Sequence, residues 1–137
     1  MAKLTVEIVT PEKRILSVQA DEAIVPGGKG LFGVRPGHTP FLSLMEPGSL
    51  TLVDGGQKDA YFVAGGFVEV ANDKVLVLAD AAEHVSGIDV EGARKRMADA
   101  QERLRGLSTE DARYDLEQAT VRREAARIGA ANVGARG

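Results

Sequence analysis

The stretch Leu50-Thr51-Leu52-Val53-Asp54-Gly55-Gly56-Gln57-Lys58-Asp59-Ala60-Tyr61-Phe62-Val63-Ala64-Gly65-Gly66-Phe67-Val68-Glu69-Val70-Ala71-Asn72-Asp73-Lys74-Val75-Leu76-Val77-Leu78-Ala79 alternates short apolar runs with turn formers. Leu50, Leu52 and Val53 lead into Asp54-Gly55-Gly56, residues that tolerate the positive φ of a tight hairpin. Tyr61 to Ala64, Phe67 to Ala71 and Val75 to Ala79 read as three further strands, with Asn72-Asp73 as the turn between the last two. Gly65-Gly66 interrupts an apolar run, the mark of a bulge or a close backbone approach. Upstream, Leu4, Val6 and Ile8 alternate with Thr5, Glu7 and Val9 at a period of two. Ile15 to Val25 is mostly extended, Leu31 to Val34 closes at Pro36-Gly37, and Phe41 to Leu44 is followed by Pro47-Gly48. About eight short strands at turn spacings of roughly 8–12 residues predict an antiparallel β-sandwich or barrel.

Downstream the period changes. Val90, Ala93, Met97, Ala100, Leu104 and Leu107 recur at spacings of 3, 4, 3, 4 and 3, one stripe on one helix. Asp89 is a natural N-cap and Gly106 a stop. Glu91–Lys95 and Asp99–Arg103 have favourable i,i+4 spacing. Ser108-Thr109-Glu110-Asp111 opens a second helix whose stripe, Ala112, Leu116, Ala119 and Ala126, is poor and interrupted by Arg123. Two helices with a short connection predict an antiparallel hairpin. A seam of mostly alanine buries little apolar area, so this hairpin should detach or redock at small cost.

Composition divides at the same place. All five prolines precede residue 48, and of six aromatic residues only Tyr114 follows Phe67. Residues 1–89 carry 7 basic and 12 acidic side chains, net −5, while 90–137 carry 10 and 8, net +2. The expected organisation is a β-sandwich over residues 1–86 and a helical hairpin over 87–137, with a disordered tail from about 129. The whole chain, 137 residues at net charge −3, does not suit nucleic-acid binding by bulk charge. It has no run of about 18 apolar residues to span a bilayer, and the alternating N-terminus is unlike a secretory signal. With no cysteine, disulfides, thiolate metal sites and a thiol nucleophile are excluded.

Candidate chemistry is sparse. Gly27-Gly28-Lys29-Gly30 lacks the GxxxxGK[ST] spacing of a phosphate loop and reads as a β-turn. His38 lies in the stiff Pro36-Gly37-His38-Thr39-Pro40 segment, where a loop-shaping or partner-contacting role fits better than catalysis. Asp80, Glu83 and His84 are close in sequence but match no metal-ligand spacing, and read as the polar start of a linker. Arg122-Arg123-Glu124-Ala125-Ala126-Arg127 reads as a solvated helix face able to meet an acidic partner.

The order of residues carries more. Val25-Pro26-Gly27-Gly28-Lys29-Gly30-Leu31-Phe32-Gly33-Val34-Arg35-Pro36-Gly37-His38-Thr39-Pro40-Phe41, then Leu44-Met45-Glu46-Pro47-Gly48, Val63-Ala64-Gly65-Gly66-Phe67-Val68-Glu69-Val70 and Val75-Leu76-Val77-Leu78-Ala79-Asp80-Ala81-Ala82-Glu83 resemble, nearly end to end, the epsilon subunit of the F-type ATP synthase. The resemblance implies an N-terminal β-sandwich with a C-terminal helical hairpin. It implies a non-catalytic rotor subunit of the central stalk, peripheral on the cytoplasmic face of a bacterial membrane, with no membrane insertion and no nucleic-acid partner. The sandwich would bind the gamma subunit on one side and the c-ring on the other. The ring-facing loop would comprise Leu31, Phe32, Gly33, Val34, Arg35, Pro36, Gly37 and His38. The hairpin would extend toward the alpha and beta subunits and inhibit ATP hydrolysis, with Arg113, Arg122, Arg123 and Arg127 meeting an acidic segment of beta.

One departure from the family pattern bears on cofactors. Some bacterial members bind ATP at Ile/Leu-Asp-x-x-Arg-Ala at the start of the first helix. Here Ile88, Asp89 and Ala93 are present but Gly92 replaces the arginine. Arg94 lies about 200° around the helix from position 92. Without that guanidinium the expectation is weak or no ATP binding and no cofactor. The alternatives are a nucleotide-sensing module, which needs an intact anion site, and an enzyme, for which neither histidine has a recognisable partner.

Overall fold

The computed structural model describes the backbone of residues 2–135 and the side chains of 2–133. Ten strands precede two helices: β1 (Leu4–Val9), β2 (Arg14–Ala20), β3 (Glu22–Gly27), β4 (Gly30–Val34), β5 (Phe41–Met45), β6 (Gly48–Asp54), β7 (Gln57–Val63), β8 (Gly66–Ala71), β9 (Lys74–Ala79), β10 (Ala82–His84), α1 (Val90–Arg105) and α2 (Ala112–Ala135). The pairing path is β10-β7-β6-β3-β5-β8-β9-β1-β2, with β4 beside β3. Strands β3 and β5 touch at a single pair, Gly27 with Met45, which makes that the corner between the two layers of a sandwich. Neighbours run antiparallel except β1 and β9, which are parallel in the register Val6 with Val75 and Ile8 with Val77. That pair departs from the purely antiparallel expectation, because alternation fixes which face a residue takes but not the direction of its neighbour.

The alternating residues fill the space between the layers. Leu4, Val6, Ile8, Val25, Val34, Leu50, Val63, Val68, Val70, Val75 and Val77 are all essentially buried. Each such side chain contributes roughly 1.5–3 kcal/mol of transfer free energy. Two differences from the sequence reading concern strand ends. The extended run Ile15–Val25 is broken at Asp21, where the chain passes from one layer to the other and Asp21 N–H donates to Val53 O at 2.8 Å. The Glu83–His84 segment is not a linker but strand β10, with His84 opposite Tyr61.

Asp89 caps α1 by accepting from Gly92 N–H at 3.0 Å, and Gly106 ends it. The i,i+4 pairs expected on α1 are not the ones formed: Glu91 pairs with Arg94, Asp99 with Lys95, and Arg103 reaches across to Glu117 of α2. Helix α2 continues to Ala135, through positions assigned above to a disordered tail, and of that tail 136 and 137 lie outside the described residues. The physical reason is a second apolar cluster, in which buried Ala130 and half-buried Ala126 pack against Ala60, Phe62 and Val85. The hairpin therefore lies on β6, β7 and the 3-10 turn Val85–Gly87.

Candidate functional site

Two regions collect the residues singled out by sequence. The first is the end of the sandwich that carries the Gly/Pro loop. Pro36 and Gly37 occupy the centre of a turn closed by His38 N–H donating to Arg35 O at 3.1 Å. Gly37 has φ +89°, the conformation that favours glycine at the third position of a type II turn. Gly37 N–H also donates to Asp73 Oδ1 at 2.7 Å, which ties the loop to the β8–β9 turn. Phe32 and Phe41 meet edge to face at 5.3 Å, and His38 lies 6.3 Å from Phe41. Arg35 is exposed, 3.5 Å from Glu22 Oε2, and Val34 points into the core and is scaffold rather than surface.

Beside this loop the outer face of the sheet is apolar. Leu44 is opposite Phe67, and Phe67 is opposite Leu78, so the three form a row across β5, β8 and β9. Leu31 is 72% exposed, Leu42 67% and Leu44 61%, with Phe41, Phe67 and Leu78 about half exposed. An open cleft of ≈ 780 Å³ lies between the β3–β4 hairpin and β5, lined by Lys29, Phe32, His38 and Leu44 among others. A patch of large apolar side chains on a polar-rimmed surface marks a contact for another macromolecule.

The second region is the hairpin and its seat. Glu124 is fully buried on α2, and its carboxylate meets Arg96 of α1 at 2.9 Å, Arg123 at 3.0 Å and Arg127 at 3.2 Å. Burial pushes the Glu124 carboxyl up, but hydrogen bonds from Arg123 and Arg96 and the Arg127 charge outweigh it and hold the group below the ordinary carboxylate range. Arg127 also donates to Glu83 Oε1 at 3.0 Å and lies 4.7 Å from the centroid of Phe62. The Arg-rich stretch is therefore not a free solvated face: Arg123 and Arg127 turn inward onto Glu124, and only Arg122 of the three is exposed. Arg113 is exposed but forked onto Asp111, whose pKa its hydrogen bonds pull down to about 2. Glu124 was invisible as a site residue, because its partner Arg96 lies 28 positions away on the other helix.

The ATP-motif positions are separately occupied. Ile88 packs at the apolar seam, Asp89 is the cap of α1, and Ala93 is buried. A Cβ at Gly92 would stand 2.4 Å from Asp89 Oδ2, so the capping carboxylate fills the space a side chain would need. Asp80, Glu83 and His84 do not converge, and no group of metal-ligating side chains forms among the described residues. His84 instead bridges Asp59 Oδ1 at 2.6 Å and Ser86 Oγ at 2.7 Å, edge-on to Tyr61 at 5.0 Å. Ser86 is exposed, and neither it nor His84 lines the cleft beside β5.

Residues 3–85 match the family model described as ATP synthase, Delta/Epsilon chain, beta-sandwich domain. The chain is 85% identical over 132 residues to the ATP synthase epsilon chain of Myxococcus xanthus (strain DK1622), covering 96% of this chain and 97% of that one. It belongs to the epsilon-subunit family of the bacterial F-type ATP synthases. A second epsilon chain, from Anaeromyxobacter sp. (strain K), is 54% identical over 125 residues, 91% of this chain and 95% of the relative. The epsilon fold recurs at low identity in a chain of the Euglena gracilis mitochondrial ATP synthase, TM-score 0.78 at 22% identity, covering 100% of this chain and 83% of that one. It recurs again in the Tetrahymena thermophila mitochondrial ATP synthase central stalk/c-ring, TM-score 0.66 at 16% identity over 93% and 97% of the two chains. Both regions of this epsilon-family chain, sandwich and hairpin, thus fall within the matched length. No helix in the described residues is long and apolar enough to cross a membrane.

Proposed function

We propose that this chain is a non-catalytic rotor subunit of a proton-translocating synthase that couples gamma to the c-ring and restrains ATP hydrolysis through its helical hairpin. The observation that carries the reading is the exposed apolar row Leu44–Phe67–Leu78 beside a loop held in one shape by Pro36, Gly37 and the Asp73 hydrogen bond. A coupling part must transmit torque without deforming, and a turn fixed by proline and tied to a second turn suits that demand. The apolar row is the proposed seat of gamma. The exposed members of the loop, Leu31, Gly33, Arg35 and Gly37, are the proposed edge toward the c-ring. Arg122, exposed in this docked arrangement, and Arg113, Arg123 and Arg127, released from their internal carboxylates, are the proposed cations for an acidic segment of beta.

The chain would sit peripherally on the cytoplasmic face of the membrane and reach it through partners. The nucleotide-sensing alternative is not favoured, since Gly92 offers no side-chain donor, its N–H is already given to Asp89, and Asp89 places a carboxylate beside it. Calorimetric titration with ATP is expected to show no micromolar binding, and such binding would restore that alternative. The central test is affinity capture from detergent-solubilised membranes of the source cell, read by mass spectrometry. Recovery of gamma with alpha, beta and c is the expected result, and their absence from membranes shown to hold the synthase overturns the reading. Deletion of 90–137 should then leave assembly intact and release inhibition.

A further inference from the structure

Hairpin and sandwich are joined by the covalent turn at Val85–Gly87, by the small seam of Ala126 and Ala130 on Phe62, and, among the described residues, by one ion pair. That pair is Arg127 with Glu83 at 3.0 Å. The other ion pairs of the hairpin stay within it: Arg96, Arg123 and Arg127 on Glu124, Arg103 on Glu117, Arg113 on Asp111 just before α2, and three surface pairs on α1. We propose that the Arg127–Glu83 pair is a latch whose making or breaking sets whether the hairpin lies on β6 and β7 or swings away from them.

Making this pair and breaking it have unequal costs. Arg127 is only 14% exposed and does two jobs at the seam, covering the Phe62 ring and neutralising Glu83. The rest of the seam on the helix side is alanine, which buries little area. Docking therefore depends heavily on one side chain. Release, however, strands no charge on the hairpin. Arg127 keeps Glu124 three positions before it on its own helix, and Glu124 keeps Arg96 and Arg123. Glu83 on β10 is partly exposed and regains water. A contact that is favourable when made and cheap to abandon is what a reversible two-position element needs. It also makes the two uses of Arg127 exclusive: held by Glu83, it is not available to an acidic partner. That last consequence rests on the function proposed above, whereas the latch itself does not.

The chain has no cysteine, so introduced pairs can carry spin labels without background. Lys58→Cys with Ala125→Cys, both at exposed positions, reports the distance from β7 to α2. Gln101→Cys with Gln118→Cys, also exposed, reports the separation of the two helices. In the full chain, Glu83→Gln and Arg127→Gln are each expected to raise the population of long 58–125 distances several-fold. Glu83→Gln is expected to leave the 101–118 distribution unchanged. A 58–125 distribution unmoved in both variants overturns the latch. So does broadening of the 101–118 distribution in Glu83→Gln, which would mean that the pair holds the two helices to each other rather than the hairpin to the sandwich. In the assembled synthase Glu83→Gln should deepen inhibition of hydrolysis. A hairpin freed in the isolated chain with hydrolysis unchanged would uphold the latch and overturn the inhibitory reading.

Discussion

Gly66 has φ +127°, and a Cβ built on it falls 2.1 Å from Leu78 O and 3.0 Å from Ala79 Cα, both backbone atoms of the paired strand. Neither contact can relax without moving β9, which holds Val75 and Val77 in the core. Gly66→Ala is therefore expected to cost about 3 kcal/mol, combining a left-handed backbone with a clash in a central pair. The urea midpoint should fall with the slope unchanged, and a loss under about 0.5 kcal/mol would show that the strands shift freely. Asp111 yields a prediction of the opposite kind, electrostatic and at the surface. It accepts from Arg113 N–H at 2.9 Å at the start of α2, and its pKa is lowered to about 2 by Arg113, side chain first and backbone second. Because the folded-state pKa is depressed, the contribution of Asp111 is complete above the ordinary value near 3.8 and is lost as pH falls through about 2. The Arg113 amide resonance should follow that titration, and a midpoint near 4 would mean that the fork onto Asp111 does not form in solution.

At the scale of elements, legibility followed local chemistry. The strands from Leu50 to Ala79 could be read because each apolar run ends at residues with a reason to turn, and Gly55, Gly56, Asn72 and Asp73 do take positive φ. The break at Asp21 could not, because it lies inside an extended run and is stabilised from far away, by Val53 O and by Gly55 N–H donating to its carboxylate at 2.8 Å. The parallel β1–β9 pair and the three-residue β10 leave no mark on periodicity. The helix stripes gave α1 correctly but undersold α2, since a buried glutamate reads as surface until its arginines are found. Glu124 is accordingly where the hairpin is most sensitive. Glu124→Ala leaves Arg96, Arg123 and Arg127 facing one another without their shared anion, and should cost about 3 kcal/mol. Acid should act in the same sense. The Glu124 pKa lies below its ordinary value, so the network is intact above the usual carboxylate range and is lost as pH falls through the depressed value. Circular dichroism of the helices against pH checks this, and helical signal unchanged in Glu124→Ala would place the stability of the hairpin elsewhere.

On the scale of the whole molecule, the two apolar clusters are not equal partners. The main core, from Leu4 to Ala79, is drawn entirely from the strands and needs nothing from the helices. The smaller cluster is shared, with Ala60, Phe62 and Val85 contributed from one side and Ala126 and Ala130 from the other. Removing residues 90–137 should therefore leave a sandwich that unfolds cooperatively on its own, while uncovering Phe62 and Val85 and freeing Glu83 from Arg127. The converse fragment should fail. The interior of the hairpin is Ala93, Ala100 and a charge cluster, too little apolar area to offset the chain entropy of two helices. The expected outcome is a sharp thermal transition for 1–89 within a few degrees of the full chain, and low helicity for 87–137 alone. A truncated sandwich that lost cooperativity would mean that the hairpin is structural cement rather than a separable arm. It would then be unable to leave β6 and β7 without unfolding the part of the molecule that its proposed partners hold.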